Sequence, residues 1–341
     1  MLAGTGSRLN HARGQAEYGS RPGHATAFSV YSRASNCAAF SATLIMTKLT
    51  FSAYAIGPKN MHRTIWQYWE TRGEKPAFVG GLHELARRNS GCEVVLVTPQ
   101  NLGEYLPVIP KDFFRIEPVA HKADMIRAML LARYGGMWLD SDAIVLQDLS
   151  HLFGLLEDYD FVAFNNQGLL ENNRPWVRVN CLISRPQGRI AQEWVRQQHA
   201  KFPKVAYNWE EIGTELLHPI CLKNRSRVKI LPFEKICPIP FNKVEDFVSG
   251  SDERILADDC YMVMLSNAVL RERIPALQRL SCQDIAEGNY PLSTIMRASI
   301  RGAPVDSRTE NFIAQVKAAE VKPGISRKLA GRFMRLLSNR S

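Results

Sequence analysis

Residues 124–142 read Asp-Met-Ile-Arg-Ala-Met-Leu-Leu-Ala-Arg-Tyr-Gly-Gly-Met-Trp-Leu-Asp-Ser-Asp. In this stretch a helical period gives way to a strand that ends in two closely spaced carboxylates. Met125, Ile126, Met129 and Leu130 recur at i, i+1, i+4 and i+5, which predicts an amphipathic helix over 121–134 with one apolar stripe. Asp124 and Arg127 are three apart and share a face beside that stripe. Gly135-Gly136 stops the helix where positive φ costs least, and Met137-Trp138-Leu139 reads as a short buried strand. Asp140 and Asp142 then stand where the strand runs out, the end at which open α/β sheets bind ligands. Extended alternation predicts that both point one way and Ser141 the other, before Ala143-Ile144-Val145-Leu146 resumes an apolar strand. Two hard oxygen donors facing one way suit Mg²⁺ or Mn²⁺. Alone, an Asp-X-Asp is more often a surface turn, where Asp bonds its own backbone, than a metal site.

Outward from this block the pattern alternates. His62 to Trp69 reads as a strand, Pro76 to Asn89 as a helix, Glu93 to Thr98 as a strand and Pro99 to Leu106 as a short helix. After the central block, Phe161 to Phe164 and Val228 to Leu231 read as strands, and Arg189 to Phe202 as a helix. Strands alternating with helices predict an α/β fold with a mostly parallel sheet. No Gly-x-Gly-x-x-Gly follows the first strand, which removes support for a dinucleotide oxidoreductase.

The 341 residues, 45% hydrophobic, suffice for one enlarged domain with appendages. A formal net charge of +10 favours anionic partners. Nucleic acid is not expected among them, since no finger spacing, aromatic-glycine sheet motif or basic heptad region is present. Seven cysteines, none in CxxC spacing, read as small buried hydrophobes in a reducing, cytoplasmic compartment. Ala38 to Ile56 is too polar for a membrane span. Residues 1–60 read as a disordered extension or as sequence upstream of a start at Met46 or Met61. Ser326 to Ser341 sets Leu329, Phe333, Leu336 and Leu337 among arginines, a basic amphipathic helix suited equally to peripheral contact with the inner membrane face and to docking on its own domain.

The helix with Asp and Arg, Gly-Gly, strand and Asp-X-Asp together resemble the nucleotide-sugar glycosyltransferases with a sugar-binding DXD region. These include capsular polysaccharide synthesis proteins, yeast mannosyltransferases and clostridial glucosylating toxins. The match runs from about Met61 to Asn180, with a weaker continuation to Asn267. The resemblance implies a GT-A-like, Rossmann-like α/β domain over 61–270, with helical C-terminal additions over 271–341. It also implies a metal-dependent, mostly retaining hexosyltransferase that takes a UDP- or GDP-sugar and delivers the hexose to a polysaccharide or lipid-linked glycan.

Carried onto this chain, the resemblance makes Asp140 and Asp142 the Mn²⁺ or Mg²⁺ ligands. Asp124 and Arg127 become contacts to the donor sugar, ribose or phosphate, and Trp69 stacks on the base. Gly136, Ser141 and Asn180 complete the donor site. Read as residues alone, Asp124–Arg127 equally describes a surface ion pair, Trp69 a core aromatic and Asn180 a satisfied edge-strand amide. The segment Ile212 to Leu217 resembles one that packs beside the acceptor cleft. Two positions depart from the relatives: Ile65-Trp66 replaces Ile-His, and in Tyr261-Met262-Val263-Met264-Leu265-Ser266-Asn267 a methionine stands where a metal-binding histidine is usual. A thioether suits a hard cation poorly, so Asn267 or water is expected to complete the coordination. Rival functions are a catalytically silent nucleotide-sugar or glycan binder and a metal-dependent phosphohydrolase, which would need more carboxylate or His ligands.

Overall fold

Strand β1 (Thr64–Tyr68) is buried at every residue, because a β-branched and aromatic run without charge fits the middle of a sheet covered on both faces. In this computed structural model the residues described are 63–70, 75–165, 177–249 and 260–302. The 1–60 extension, the 326–341 basic tail and the loop directly after Asn165 lie outside them.

β1 is flanked by β2 (Glu93–Val97) and β3 (Gly136–Leu139), both parallel to it. Beyond β3 come β6 (Val177–Ser184), β5 (Phe161–Asn165) and β7 (Val228–Pro232), giving the order β2-β1-β3-β6-β5-β7. Only β6 runs against the others, pairing antiparallel with both β3 and β5. This is the α/β arrangement expected, with a mostly parallel sheet. β6, the longest strand, is not announced by the sequence pattern, and it lies inside the sheet. Asn180 is therefore not on an edge strand.

Side chains alternate across the sheet. Trp66, Tyr68, Trp138 and Leu182 meet helices α2 (Val119–Tyr134), α3 (Arg189–His199) and α4 (Thr214–Lys223) on one face. Ile65, Met137, Leu139 and Ile183 pack on the other face against β4 (Ala143–Val145) and β8 (Met262–Met264). These two form a separate antiparallel ribbon. The apolar strand expected from Ala143 is thus present as β4, but the turn at Asp140 lifts it out of the central sheet into a second layer. The far side of that ribbon, through Ile144, Val263 and Leu265, shares a core with α1 (Ala77–Asn89), α5 (Asn267–Arg273), α6 (Cys282–Ala286) and α7 (Pro291–Gly302).

Helix α2 also departs from its expected single stripe. Every residue from Asp124 to Ala132 is buried, because the helix lies between the sheet and α3. Trp66, at the position where the resemblance leads one to expect His, is a core residue: it donates from Nε1 to Gly135 O at 2.9 Å and packs on Tyr105 and Tyr134. Cys181, Cys221 and Cys237 are buried thiols, as expected, whereas Cys92 and Cys282 are half-buried. Among the described residues no helix is long and apolar enough to cross a membrane.

Gly135 and Gly136 both have positive φ, +66° and +89°, and make the reversal from α2 into β3. A Cβ on Gly136 would lie 2.6 Å from Thr64 O. Gly136→Ala is expected to lower unfolding stability by about 2 kcal/mol or more, from the left-handed conformation and the clash with β1 backbone, read as a reduced urea midpoint.

Candidate active site at the Asp140 turn

The meeting of Asp124, Arg127 and Asp140 follows from chain geometry. From the Gly135 reversal, Asp124 lies eleven residues back along α2, about 16 Å at helical rise. Asp140 lies five residues forward along β3, also about 16 Å at strand rise. Helix and strand run antiparallel, so the two carboxylates arrive at the same level, with Arg127 one turn of helix below. Arg127 Nη2 lies 3.3 Å from Asp124 Oδ1 and 3.4 Å from Asp140 Oδ1. Its Nε donates to Ala123 O, its Nη1 donates to Val179 O, and its guanidinium carbon sits 4.8 Å from the Trp138 ring centroid. The pair is buried, not the surface ion pair that i, i+3 spacing also describes.

Trp138 belongs to this site, and the sequence reading assigned it only to the strand. It shares a face with Asp140 by two-residue alternation, and its Nε1 donates to Asp140 Oδ1 at 2.8 Å. A bulge in β6 supplies the rest. The register against β5 jumps from Ala163↔Leu182 to Phe164↔Arg178, leaving Val179, Asn180 and Cys181 without β5 partners. The freed Val179 carbonyl takes Arg127, and the Asn180 carbonyl accepts Asp140 N at 3.0 Å. The Asn180 side-chain oxygen is buried without a hydrogen-bond partner.

Residues 140–142 form a turn, with Ala143 N donating to Asp140 O, instead of an extended segment. Ser141 is buried and gives its hydroxyl to Tyr68 O at 3.1 Å, so it latches the turn to the end of β1. That spends the hydroxyl expected at the donor. Asp142 Oδ2 accepts Asn267 N at 2.6 Å, across the first turn of α5. Asn267 therefore serves through its backbone, and its side-chain oxygen accepts Gln278 Nε2 at 2.9 Å. Met264 faces Ala143 across the β4–β8 ribbon and is buried in the core, where a methionine packs well. Gly136 lies at the opposite end of β3 from Asp140, against Thr64 and Trp66, so its role is in the backbone reversal. Trp69 follows β1, packs half-buried on the second core, and leaves its indole N–H buried without a partner.

Three carboxylates share one guanidinium here, and the electrostatics record the excess. Burial pushes Asp124 up to about 7; Asp140 and Glu210 add to the rise and Arg127 opposes it. Burial and then the neighbouring Asp140 charge push Asp142 up to about 6, against the Asn267 N–H. Asp140 is raised by burial, with Arg127 and Trp138 pulling the other way. Its side chain keeps 30% exposure, so the turn opens to solvent at this carboxylate. A divalent cation fits such a place: Asp140 and Asp142 supply two hard donors, and their surplus negative charge lacks a second cation. Among the described residues no group of three or more His, Cys, Asp or Glu gathers as a metal cage. The remaining positions would fall to ligand or water oxygens.

Loop 208–213 closes one side. Gly213 stands so close to Asp124 that a Cβ would lie 2.8 Å from its Oδ2. Gln198 Nε2 donates to both Asp124 O and Ile212 O at 2.9 Å. The segment resembling an acceptor-side helix thus does reach the site, at its N-terminal end.

Because Asp124 binds its proton more tightly folded than unfolded, its contribution to stability is complete below about pH 4 and is lost as pH rises through about 7. Asp124→Asn removes that dependence. Urea midpoints taken from pH 4 to pH 8 without added metal are expected to fall less steeply for the variant, by on the order of 2 kcal/mol across the window.

Residues 40–204 match the family described as capsular polysaccharide synthesis protein. No curated protein matches the sequence. Among solved structures the chain is similar to the PaToxG glycosyltransferase, with 9% identity and a TM-score of 0.34 over 84% of this chain and 96% of that one. It is similar to the WbbM bifunctional glycosyltransferase, with 13% identity and a TM-score of 0.41 over 77% of this chain and 54% of that one. It is also similar to the glycosyltransferase GlyE of Streptococcus pneumoniae TIGR4, with 15% identity and a TM-score of 0.32 over 51% and 46%. The chain thus spans about half the length of the last two. The family match agrees with the resemblance drawn from the central block, since the matched residues 40–204 include the segment that builds the Asp140 turn.

Proposed function

We propose that the chain is a metal-dependent, retaining glycosyltransferase that moves a hexose from a UDP- or GDP-sugar to a polysaccharide or lipid-linked glycan. The observation that carries this reading is the excess of carboxylates at the half-buried Asp140 and Asp142, held at the carboxyl edge of the sheet beside a guanidinium that is already paired. The family match over the same residues supports it.

In this reading Asp142 and Asp140 hold Mn²⁺ or Mg²⁺ against the donor diphosphate. The cation supplies Lewis-acid stabilisation of the leaving nucleotide. The protein's own contribution is positional. Ser141 and the Asn267 N–H fix the turn from two sides, so Asp140 and Asp142 need not reorganise when charge develops on the leaving group. Arg127 orients Asp124 and Asp140 together, and Asp124 faces the donor sugar hydroxyls. Trp69 lies at the end of β1 and Asn180 in the β6 bulge, on either side of the turn; each has a buried polar atom without a partner, a donor and an acceptor for nucleotide and sugar. A same-face attack by the acceptor hydroxyl needs no protein nucleophile, and the departing phosphate oxygen serves as base. Contact with a membrane through the 326–341 tail belongs to this proposal as well.

With Mn²⁺ and a panel of UDP- and GDP-sugars, nucleotide release is expected for one donor, abolished by EDTA and lowered at least ~100-fold by Asp142→Ala. Donor binding without release would instead identify a silent binder, and inorganic phosphate as the sole product a phosphohydrolase.

A further inference from the structure

Of the tryptophans whose side chains are described, Trp66, Trp138 and Trp194 are buried, whereas Trp209 is 66% exposed. An exposed aromatic in a slack loop means little. This loop is held from several directions. Glu211 is 8% exposed and accepts Lys201 Nζ at 3.0 Å, Lys204 Nζ at 2.6 Å and Asn208 N at 3.0 Å, and these bonds, led by Lys204, hold its carboxyl down to about 2. Trp194 Nε1 and Gln198 Nε2 both hold Ile212 O at 2.9 Å. Between these fixed points Trp209 stands out to solvent, with the His121 ring centroid 6.3 Å away and Tyr207 packed edge-on against His121 at 5.8 Å.

The position of this cluster is specific. His121 precedes Asp124 by three residues on α2, so the two share a face about 4.5 Å apart along the axis. Glu210, next to Trp209, raises the Asp124 carboxyl and pairs with Arg178 on β6, two residues from Asn180. Trp209 is therefore tied to the β6 side of the Asp140 turn. Trp69 lies on the β1 side, and β3 separates the two strands by about 10 Å.

We propose that Trp209, backed by Tyr207 and His121, is the stacking platform for a pyranose ring of the glycan acceptor. The proposal rests on the glycosyltransferase reading and names the acceptor side of that same site. A pyranose presents a face of C–H groups that meets the negative face of an indole, and a rim of hydroxyls that needs polar partners. The half-buried Glu210–Arg178 pair supplies that rim beside the ring. A nucleobase would also stack on indole, but the nucleotide in this reading lies across the turn, by Trp69. The loop being fixed already, stacking orders nothing but the ligand.

The test uses the full chain labelled with 5-fluorotryptophan, with Mg²⁺ present. The ¹⁹F resonance missing from Trp209→Tyr is assigned to Trp209. Methyl β-D-glucoside, methyl β-D-galactoside and methyl α-D-mannoside are titrated separately from UDP and GDP. The Trp209 resonance is expected to move with at least one glycoside and with neither nucleotide. The half-saturating concentration of that glycoside, followed on the other tryptophan resonances, is expected to rise about tenfold in Trp209→Ala and threefold or less in Trp209→Tyr. Movement with UDP or GDP alone, no movement with any glycoside, or an unchanged half-saturation in Trp209→Ala overturns the platform. Movement with a glycoside in a protein that releases no nucleotide from any sugar donor leaves the platform standing and overturns the transferase reading instead.

Discussion

The Arg127 guanidinium is the contact on which the rest of the site depends. It is buried, and it is engaged on every side: by Asp124 on its own helix, Asp140 at the end of β3, the Val179 carbonyl in β6, the Ala123 carbonyl and the Trp138 ring. Taking such a cation out of water costs several kcal/mol, which is recovered only if its donors are met and its charge is balanced. Helix α2, strand β3 and strand β6 must therefore hold one relative position for the charge to be tolerable at all. One side chain converts three separately folded elements into a single rigid corner, and the carboxylates that face solvent are built on that corner.

Much of this was legible in residues 124–142. The helix, the glycine reversal and the strand that follows each have a local cause, and the equal reach of eleven helical and five strand residues brings Asp124 level with Asp140. Where the reading stopped, the cause was non-local. Strand β6 has no clean two-residue alternation because its bulge interrupts the pattern at Val179–Cys181. Ser141 looks like a site residue until Tyr68 is placed beside it, 73 residues earlier in the chain. Helix α2 reads as amphipathic, yet it is buried nearly all round, because α3 covers the side the sequence would give to solvent. The departures Trp66 and Met264 are explained by packing, as both fill core positions.

Charge has opposite signs at two scales. The chain carries +10 overall, while Asp124, Asp140 and Asp142 gather around the single cation Arg127. The long-range field attracts an anionic ligand, and at close range the same ligand would meet repulsion from Asp140 and Asp142. In the proposed reading a divalent ion would reconcile the two by presenting the local surface with inverted sign.

The bond from Asn267 N to Asp142 Oδ2 joins positions 125 residues apart. The segment shared with capsular polysaccharide synthesis proteins ends at residue 204, before Glu210, Gly213 and Asn267. The matched segment is consequently not a detachable module. Cut at its family boundary, it would keep both aspartates and lose the helix that restrains one of them and the loop that covers Asp124. The matched segment thus carries the aspartates, and the residues beyond 204 hold them in place, so a change in the C-terminal part would be felt at the Asp140 turn without altering either aspartate.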